Sequence, residues 1–339
     1  MNLTKKGVNV MQAKSYGYGA IALPVIITLK WLLFVSSLAG GLISCSPHQM
    51  MVKEMTTLIE DGLKVFEKDS DLAMIAKAMP SHIKLTEAML AQSPDNRKLR
   101  ILLAQLYGAY AFAFEETDFE AKYYGNDDLI LPDHHFYSTR KIKQALSYHF
   151  FKGAEYAKSV LSLKYPEAKK ALGNVVWQDK FIQGLTREDV PALFWYGFNL
   201  GGYVSQNLDS VRAMALGGQI EAVMQRVIAL SPDYYYGTAH MVLMVFYADR
   251  PPMLGGRLEA ALDHYKTLNA IAGDRFLLAD VLYARYCLTR THDRNAFETI
   301  LNRVSKRPVE SSQTFAFFNQ VAVTRAQIYL RAADQLLNE

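Results

Sequence analysis

The stretch from Gln219 to Arg257 reads QIEAVMQRVIAL at 219–230, SPD at 231–233, YYYGTAHMVLMVFYA at 234–248 and DRPPMLGGR at 249–257. Its first segment places apolar residues at i, i+3, i+4, i+7 and i+8, which is one face of a helix. Ser-Pro-Asp then predicts a turn. The segment Tyr234–Ala248 is apolar on nearly every side, so we expect a second helix covered by neighbouring helices. The stretch therefore predicts the centre of a helical core.

The rest of the chain favours the same fold class. Leu99 to Phe114 carries apolar residues at the spacing of one long helix face, whereas no stretch alternates apolar and polar residues as a strand does. We expect Pro80 to interrupt a helix and residues 117–138 to form a long irregular excursion. The fold class predicted is all-α.

Three prolines suggest a repeat within this helical chain. Pro94, Pro166 and Pro232 each separate two predicted helices. Their spacing is close to twice the roughly 34-residue unit of tetratricopeptide repeats. This predicts tetratricopeptide-like helical hairpins packed into a compact solenoid-like body.

The N-terminus has the composition of a targeting segment. Residues 1–30 contain lysines and no acidic residue, Trp31–Ile43 is apolar, and small residues precede Cys45. This order is typical of a secretory signal peptide. Leu42 to Cys45 resembles a bacterial lipobox, which implies acylation of Cys45. An uncleaved membrane helix extended through Ala20–Leu29 is the alternative.

Three regions follow from this interpretation: a signal peptide at 1–44, a lipidated tether at 45–51 and a single helical domain at 52–339. Such a protein contacts the membrane through its acyl chains alone. It is expected to lie in the bacterial cell envelope and to face the periplasm. Ser46 after the cysteine resembles a signal for the outer rather than the inner membrane.

Charge distribution argues against nucleic acid as a partner. The whole chain carries a net charge of +4, but residues 1–44 contain four lysines and no acid. The remaining residues are therefore formally neutral, with no excess of basic side chains to meet phosphates.

Three motifs resemble those of the TRAP-transporter-associated tetratricopeptide family, the T component. They are Ser231–Gly237, Tyr247–Gly256 and Asp189–Trp195, and the resemblance extends from about Leu63 to Leu337. It implies a periplasm-facing lipoprotein that self-associates and is pierced by a cleft or pore. It also implies an extracytoplasmic solute-binding protein of a TRAP transporter as partner, and a small apolar or carboxylate-bearing ligand.

Candidate ligand-binding residues come from the loop after Ala248 and from polar or aromatic positions of the apolar helices. Prolines stiffen the loop, its glycines permit close backbone approach, and Arg250 is suited to a carboxylate. A rigid connector and ordinary core packing are the alternatives. The set is Trp195, Tyr196, Asn199, Tyr203, His240, Tyr247, Arg250, Gly255 and Gly256.

Enzymatic signatures are missing from the sequence. It contains no phosphate-binding loop, no His-Glu-x-x-His and no Gly-x-Ser-x-Gly, so we predict no catalytic residue, no metal and no cofactor. A hydrolytic cell-envelope lipoprotein stays open as an alternative if its titratable residues converge, namely Asp133, His134, His135, His240 and Asp249. A third reading is an outer-membrane assembly scaffold with a filled interior and no ligand.

Overall fold

The computed structural model describes residues 47–172, 175–311 and 313–338. The chain divides into two units, residues 1–51 and 52–339. The predicted signal peptide and Cys45 lie outside the described residues. Of the predicted tether, the described part begins the first helix at Pro47. No helix within the described ranges combines the length and apolar character that crossing a membrane requires.

The prediction of an all-α protein is confirmed, since helices account for nearly all regular structure and no strand occurs in these ranges. The α-helices are α1 Pro47–Glu67, α2 Leu72–Gln92, α3 Arg97–Tyr110, α4 Glu116–Tyr123, α5 Thr139–Lys164, α6 Ala168–Ala171, α7 Val175–Gly184, α8 Val190–Ser205, α9 Val211–Met214, α10 Gly217–Leu230, α11 Thr238–Ala248, α12 Leu258–Ala272, α13 Leu277–Tyr283, α14 Thr289–Thr291, α15 Arg294–Ser305, α16 Ala316–Arg331 and α17 Ala333–Leu336. Two π-helical segments, Ala111–Glu115 and Ala284–Leu288, join α3 to α4 and α13 to α14. Short 3-10 turns lie at Asp127–Leu129, Pro132–His134, Arg187–Asp189, Tyr234–Gly237 and Pro252–Leu254.

The helix predicted over Tyr234–Ala248 begins four residues later, at Thr238. Tyr235, Tyr236 and Gly237 have φ angles of 46°, 63° and 75°, which is the left-handed region. That conformation costs an L-residue roughly 1–2 kcal/mol. The tyrosine rings offset this cost by packing against other aromatic rings and by donating their hydroxyls to Glu67. Only Gly237 signals the break in the sequence.

Pro80 does not interrupt its helix, and α2 runs without a break from Leu72 to Gln92. A proline inside a helix costs about 3 kcal/mol. Ile75, Met79 and Ile83 lie on one face of α2 and are at least 96% buried. Burial of such side chains contributes roughly 1.5–3 kcal/mol each, which outweighs the proline penalty.

The expected excursion at 117–138 is shorter than predicted, because α4 continues as a helix to Tyr123. Polar residues of α4 are buried with partners inside the protein. Asp118 accepts hydrogen bonds from the Leu131 amide at 3.1 Å and from His134 Nδ1 at 2.5 Å. A run of polar residues that looks solvated in the sequence is therefore part of the interior.

A three-helix crossing holds the middle of this domain together. Helix α5 packs against both α3 and α8, and Asn199 of α8 lies at the crossing. Its Nδ2 donates to the carbonyls of Ala104 at 3.0 Å and Trp195 at 2.7 Å. A Cβ atom added to Gly153 would lie 2.2 Å from Asn199 Oδ1, and one added to Gly108 would lie 2.7 Å away. The two glycines therefore set how closely the three helices approach.

We expect Gly153→Ala to lower the free energy of unfolding by roughly 1–3 kcal/mol, because the new methyl group overlaps a hydrogen-bonded amide. Urea denaturation measures this. Gly62→Ala is the matched control, since open space surrounds Gly62 in helix α1. That change should be neutral or stabilise the protein by up to about 1 kcal/mol. Equal effects of the two substitutions would contradict the assigned role of the crossing.

Candidate functional site

A cavity lies where α5, α8, α10, α11, α16 and both π-containing helices meet; we call it the central cavity. It encloses about 810 Å³ including its open mouth, of which about 110 Å³ can hold the centre of a water-sized molecule. Its walls are mainly apolar, which is typical of sites for small molecules. The apolar lining includes Phe112, Phe150, Phe198, Ile220, Met241, Val242, Val245, Phe246 and Leu282.

Two glycines of α8 line this cavity. A Cβ atom added to Gly202 would lie 2.5 Å from the ring of Phe150. A Cβ atom added to Gly201 would make only ordinary van der Waals contacts, at 3.9 Å, with Ile220 and Val242. Gly202 therefore lets the Phe150 ring pack directly on the α8 backbone, and Gly201 leaves the neighbouring part of the cavity unfilled.

Charged residues form one part of the cavity wall, and Arg325 is the most buried of them, with a side chain only 1% exposed. Its guanidinium donates to Glu116 Oε2 at 3.0 Å, Thr117 Oγ1 at 3.0 Å and the carbonyl of Phe112 at 2.5 Å. It also stacks on the Phe112 ring, with Cζ 4.3 Å from the centroid. Arg325 is thus fully engaged by the protein itself.

Asp249 and Arg250 complete the charged wall. The Arg250 guanidinium lies 3.6 Å above the centre of the Phe246 ring, and no carboxylate in the described ranges lies within 4.0 Å of it. Burial raises the pKa of the carboxyl groups of both Asp249 and Glu116, while nearby arginines oppose that rise. The cavity therefore offers an apolar body and a polar wall in which Arg250 is available to an anionic group.

Of the nine predicted ligand-binding residues, Arg250 alone lines the central cavity in the described structure. Trp195 is buried against the ring of Tyr235, and Asn199 lies at the helix crossing. The Tyr196 hydroxyl donates to Gln219 and to the Leu172 carbonyl. Tyr203 faces a separate surface depression beside Phe151.

The remaining predicted residues lie around α11 and its exit loop. The Tyr247 hydroxyl donates to Glu221 at 2.8 Å, and His240 Nδ1 lies 2.7 Å from His264 Nδ1. Gly255 has a φ of 90°, and a Cβ atom at Gly256 would lie 1.8 Å from the Arg250 carbonyl oxygen. The glycines thus let the loop close tightly behind Arg250.

The residues that a hydrolytic site would require have separate neighbours. His134 bonds to Asp118, His240 contacts His264, and Asp249 faces the central cavity. His135 is exposed, and the Asp133 side chain is outside the described part of the structure. Across the described residues, no three His, Cys, Asp or Glu side chains form a group able to hold a metal ion.

Several cavity residues escape prediction from sequence, above all Glu116 and Arg325. Arg325 is the one cation in the otherwise apolar or neutral segment Phe317–Leu330 of α16, which is a usable signal of a buried charge. Glu116 stands next to two other acidic residues and looks like part of a solvated run.

Comparison with known proteins gives two matches. A family model described as TRAP transporter T-component matches residues 68–337. An uncharacterized protein of Treponema pallidum (strain Nichols) is 29% identical over 248 residues, which cover 72% of this chain and 73% of that protein. The family match spans most of the chain, including every cavity residue named above.

Replacing the buried Arg325 guanidinium should destabilise the folded protein. We expect Arg325→Met to lower the free energy of unfolding by about 3–5 kcal/mol, because it leaves Glu116 and Glu120 buried without their cation. Arg331→Met is the matched control, since Arg331 pairs with Asp128 at the surface and such pairs contribute about 0–1 kcal/mol. Chemical denaturation measures both. A similar small loss for the two variants would contradict the role given to Arg325.

The histidine pair predicts a loss of stability in mild acid. Burial lowers the pKa of His240, and burial together with His240 lowers that of His264 to about 4. The folded state therefore binds fewer protons than the unfolded chain, whose histidines titrate near about 6.5, so stability falls as pH drops from there toward 4. We expect His264→Gln to weaken this dependence in unfolding experiments at pH 7.5 and 5. The exposed His135→Gln should leave it unchanged; equal slopes for all three proteins would refute the assignment.

Proposed function

Because the chain belongs to the TRAP transporter T-component family, we propose that it is a non-enzymatic accessory protein of a TRAP-type solute uptake system that holds a small amphipathic ligand in the central cavity. The observation that carries this proposal is the apolar cavity with Arg250 on its wall. The apolar part of the ligand contacts the phenylalanine walls, and a carboxylate of the ligand meets the Arg250 guanidinium.

Position in the cell and partners belong to the same proposal. Cys45 carries the lipid, the domain at 52–339 faces the periplasm, and the outer membrane is favoured over the inner. The partner is the extracytoplasmic solute-binding protein of the transporter, with self-association of the chain as a further contact. The helical hairpins are proposed to be tetratricopeptide-like. Sequence motifs and family membership support these points.

The structure also bears on the two alternative functions, an assembly scaffold without a ligand and a hydrolytic lipoprotein. A scaffold that contacts only proteins calls for a filled interior, so the open space between α8 and α11 favours a ligand-binding role. A hydrolytic site calls for converging titratable groups, and His134 and His240 each bond to a different partner.

We expect Gly201→Phe to abolish ligand binding, because a benzyl group at this position fills the space beside Ile220 and Val242. Native mass spectrometry of protein purified in mild detergent reports the co-purifying ligand. Gly201→Ala is the matched control: its methyl group fits, so ligand retention should equal that of the wild type. A ligand that survives in Gly201→Phe, or a wild-type protein without one, would refute the cavity assignment.

The partner is tested separately, by pull-down from a mild detergent extract. The wild type should recover a solute-binding protein, and its absence from the recovered proteins would count against the transport role.

The lipid anchor is tested by cell fractionation. Cys45→Ala should release the protein from the membrane fraction, and continued fractionation with membranes after normal processing would refute the lipid anchor.

A further inference from the structure

A second groove lies between α1, α3, the start of α8 and the segment before α16. It encloses about 1530 Å³ including its open mouth, of which about 700 Å³ can hold the centre of a water-sized molecule. It is lined by Tyr235, Tyr236, Phe315, Phe318 and Glu67 among others. We call it the aromatic groove, after the four aromatic residues among these five. None of them lines the central cavity.

The backbone of the aromatic groove is strained. Tyr235, Tyr236 and Phe315 have φ angles of 46°, 63° and 70°, and His292 is the one other non-glycine residue with positive φ in the described ranges. Such strain tends to concentrate where a structure is shaped for a ligand. Here it brings the rings of Tyr236 and Phe315 to a centroid distance of 4.7 Å at 80°. The rings of Tyr235 and Phe318 lie 6.1 Å apart at 84°.

A carboxylate stands among these rings with the charge of Lys64 near it but no cation in direct contact. Glu67 accepts hydrogen bonds from the Tyr235 hydroxyl at 2.9 Å and the Tyr236 hydroxyl at 3.4 Å. No basic group in the described ranges lies within 4.0 Å of its oxygens. Burial raises the pKa of Glu67, because removal from water disfavours the ionised form of its carboxyl group.

We propose that the aromatic groove binds a quaternary ammonium group, as found in betaines. The positive charge compensates Glu67, and the π faces of the tyrosine and phenylalanine rings attract the methylated cation. Each Glu67 oxygen accepts one hydroxyl hydrogen. The neighbouring aromatic rings present apolar and π surface, which suits the methyl groups of a quaternary ammonium better than the three N–H donors of a primary ammonium.

The rim of the groove indicates what else the ligand carries. Lys64, Lys68 and Lys98 line its outer part, and the side chains of Lys64 and Lys98 are 71% and 67% exposed. Lys64 pairs with Asp61 at 2.8 Å and Lys98 with Glu60 at 3.4 Å, whereas no carboxylate of the described residues lies within 4.0 Å of the Lys68 ammonium, which is therefore the group that can attract an anion. A zwitterion with its ammonium among the rings and its carboxylate toward Lys68 matches both the aromatic part and the rim of the groove.

Isothermal titration of the Gly201→Phe variant, whose central cavity is blocked, with glycine betaine tests the proposal, and 3,3-dimethylbutanoate is the control ligand. The two have the same shape and carboxylate, but carbon replaces the charged nitrogen in the second. We expect betaine to bind at least about 10-fold more tightly. Equal binding of the two ligands, or no betaine binding up to roughly 10 mM, would overturn the proposal.

Variants locate the binding site. Glu67→Gln should weaken betaine binding by about 10-fold or more, since it removes the charge and keeps a hydrogen-bond acceptor. Glu60→Gln is the matched control, because Glu60 lies on the same groove but pairs with Lys98 at 3.4 Å. Unchanged affinity in Glu67→Gln would place the site elsewhere and overturn the proposal. Gly201→Phe should leave betaine binding intact, which separates this site from the central cavity.

Discussion

Burial of Arg325 is the constraint on which the interior of this protein depends. A guanidinium removed from water must be met by several acceptors, and Glu116, Thr117 and the Phe112 carbonyl meet it here. Glu120 lies near the same group and accepts the Tyr329 hydroxyl at 2.7 Å. The network fixes α16 against α4, and one side of it forms the polar wall of the central cavity.

Two π-helical segments lie beside the central cavity, Ala111–Glu115 between α3 and α4 and Ala284–Leu288 between α13 and α14. A π turn holds an extra residue, so it shifts the side chains that follow relative to the regular helical face. Residues of Ala111–Glu115 and their neighbour Glu116 thereby point toward two different places: Phe112 and Glu116 line the cavity, while Glu115 bonds to His149 at 2.8 Å. The π-helical segment thus directs side chains both to the central cavity and to His149.

The fold class and the main apolar helix faces follow from the sequence, because a period near 3.6 depends only on neighbours along the chain. Leu99, Leu103 and Val223 are fully buried as that period predicts. The left-handed tyrosines and the Arg325 network follow from contacts between distant segments, which local periodicity does not encode. Arg250 could be predicted as a binding residue because the prolines and glycines of its loop are distinctive. Glu116 could not be predicted as a cavity residue, because only its contact with the distant Arg325 distinguishes it from the acidic residues near it.

The bond between Arg325 and Glu116 joins residues 209 positions apart. Bringing together residues so far apart in the sequence costs loop-closure entropy, so we expect this pair to form after neighbouring helices have packed. Until then, the carboxylates of Glu116 and Glu120 remain hydrated and the cavity wall is incomplete. An interaction absent from the folding transition state chiefly slows unfolding. We therefore expect Arg325 to affect how long the native state persists more than how fast it is reached.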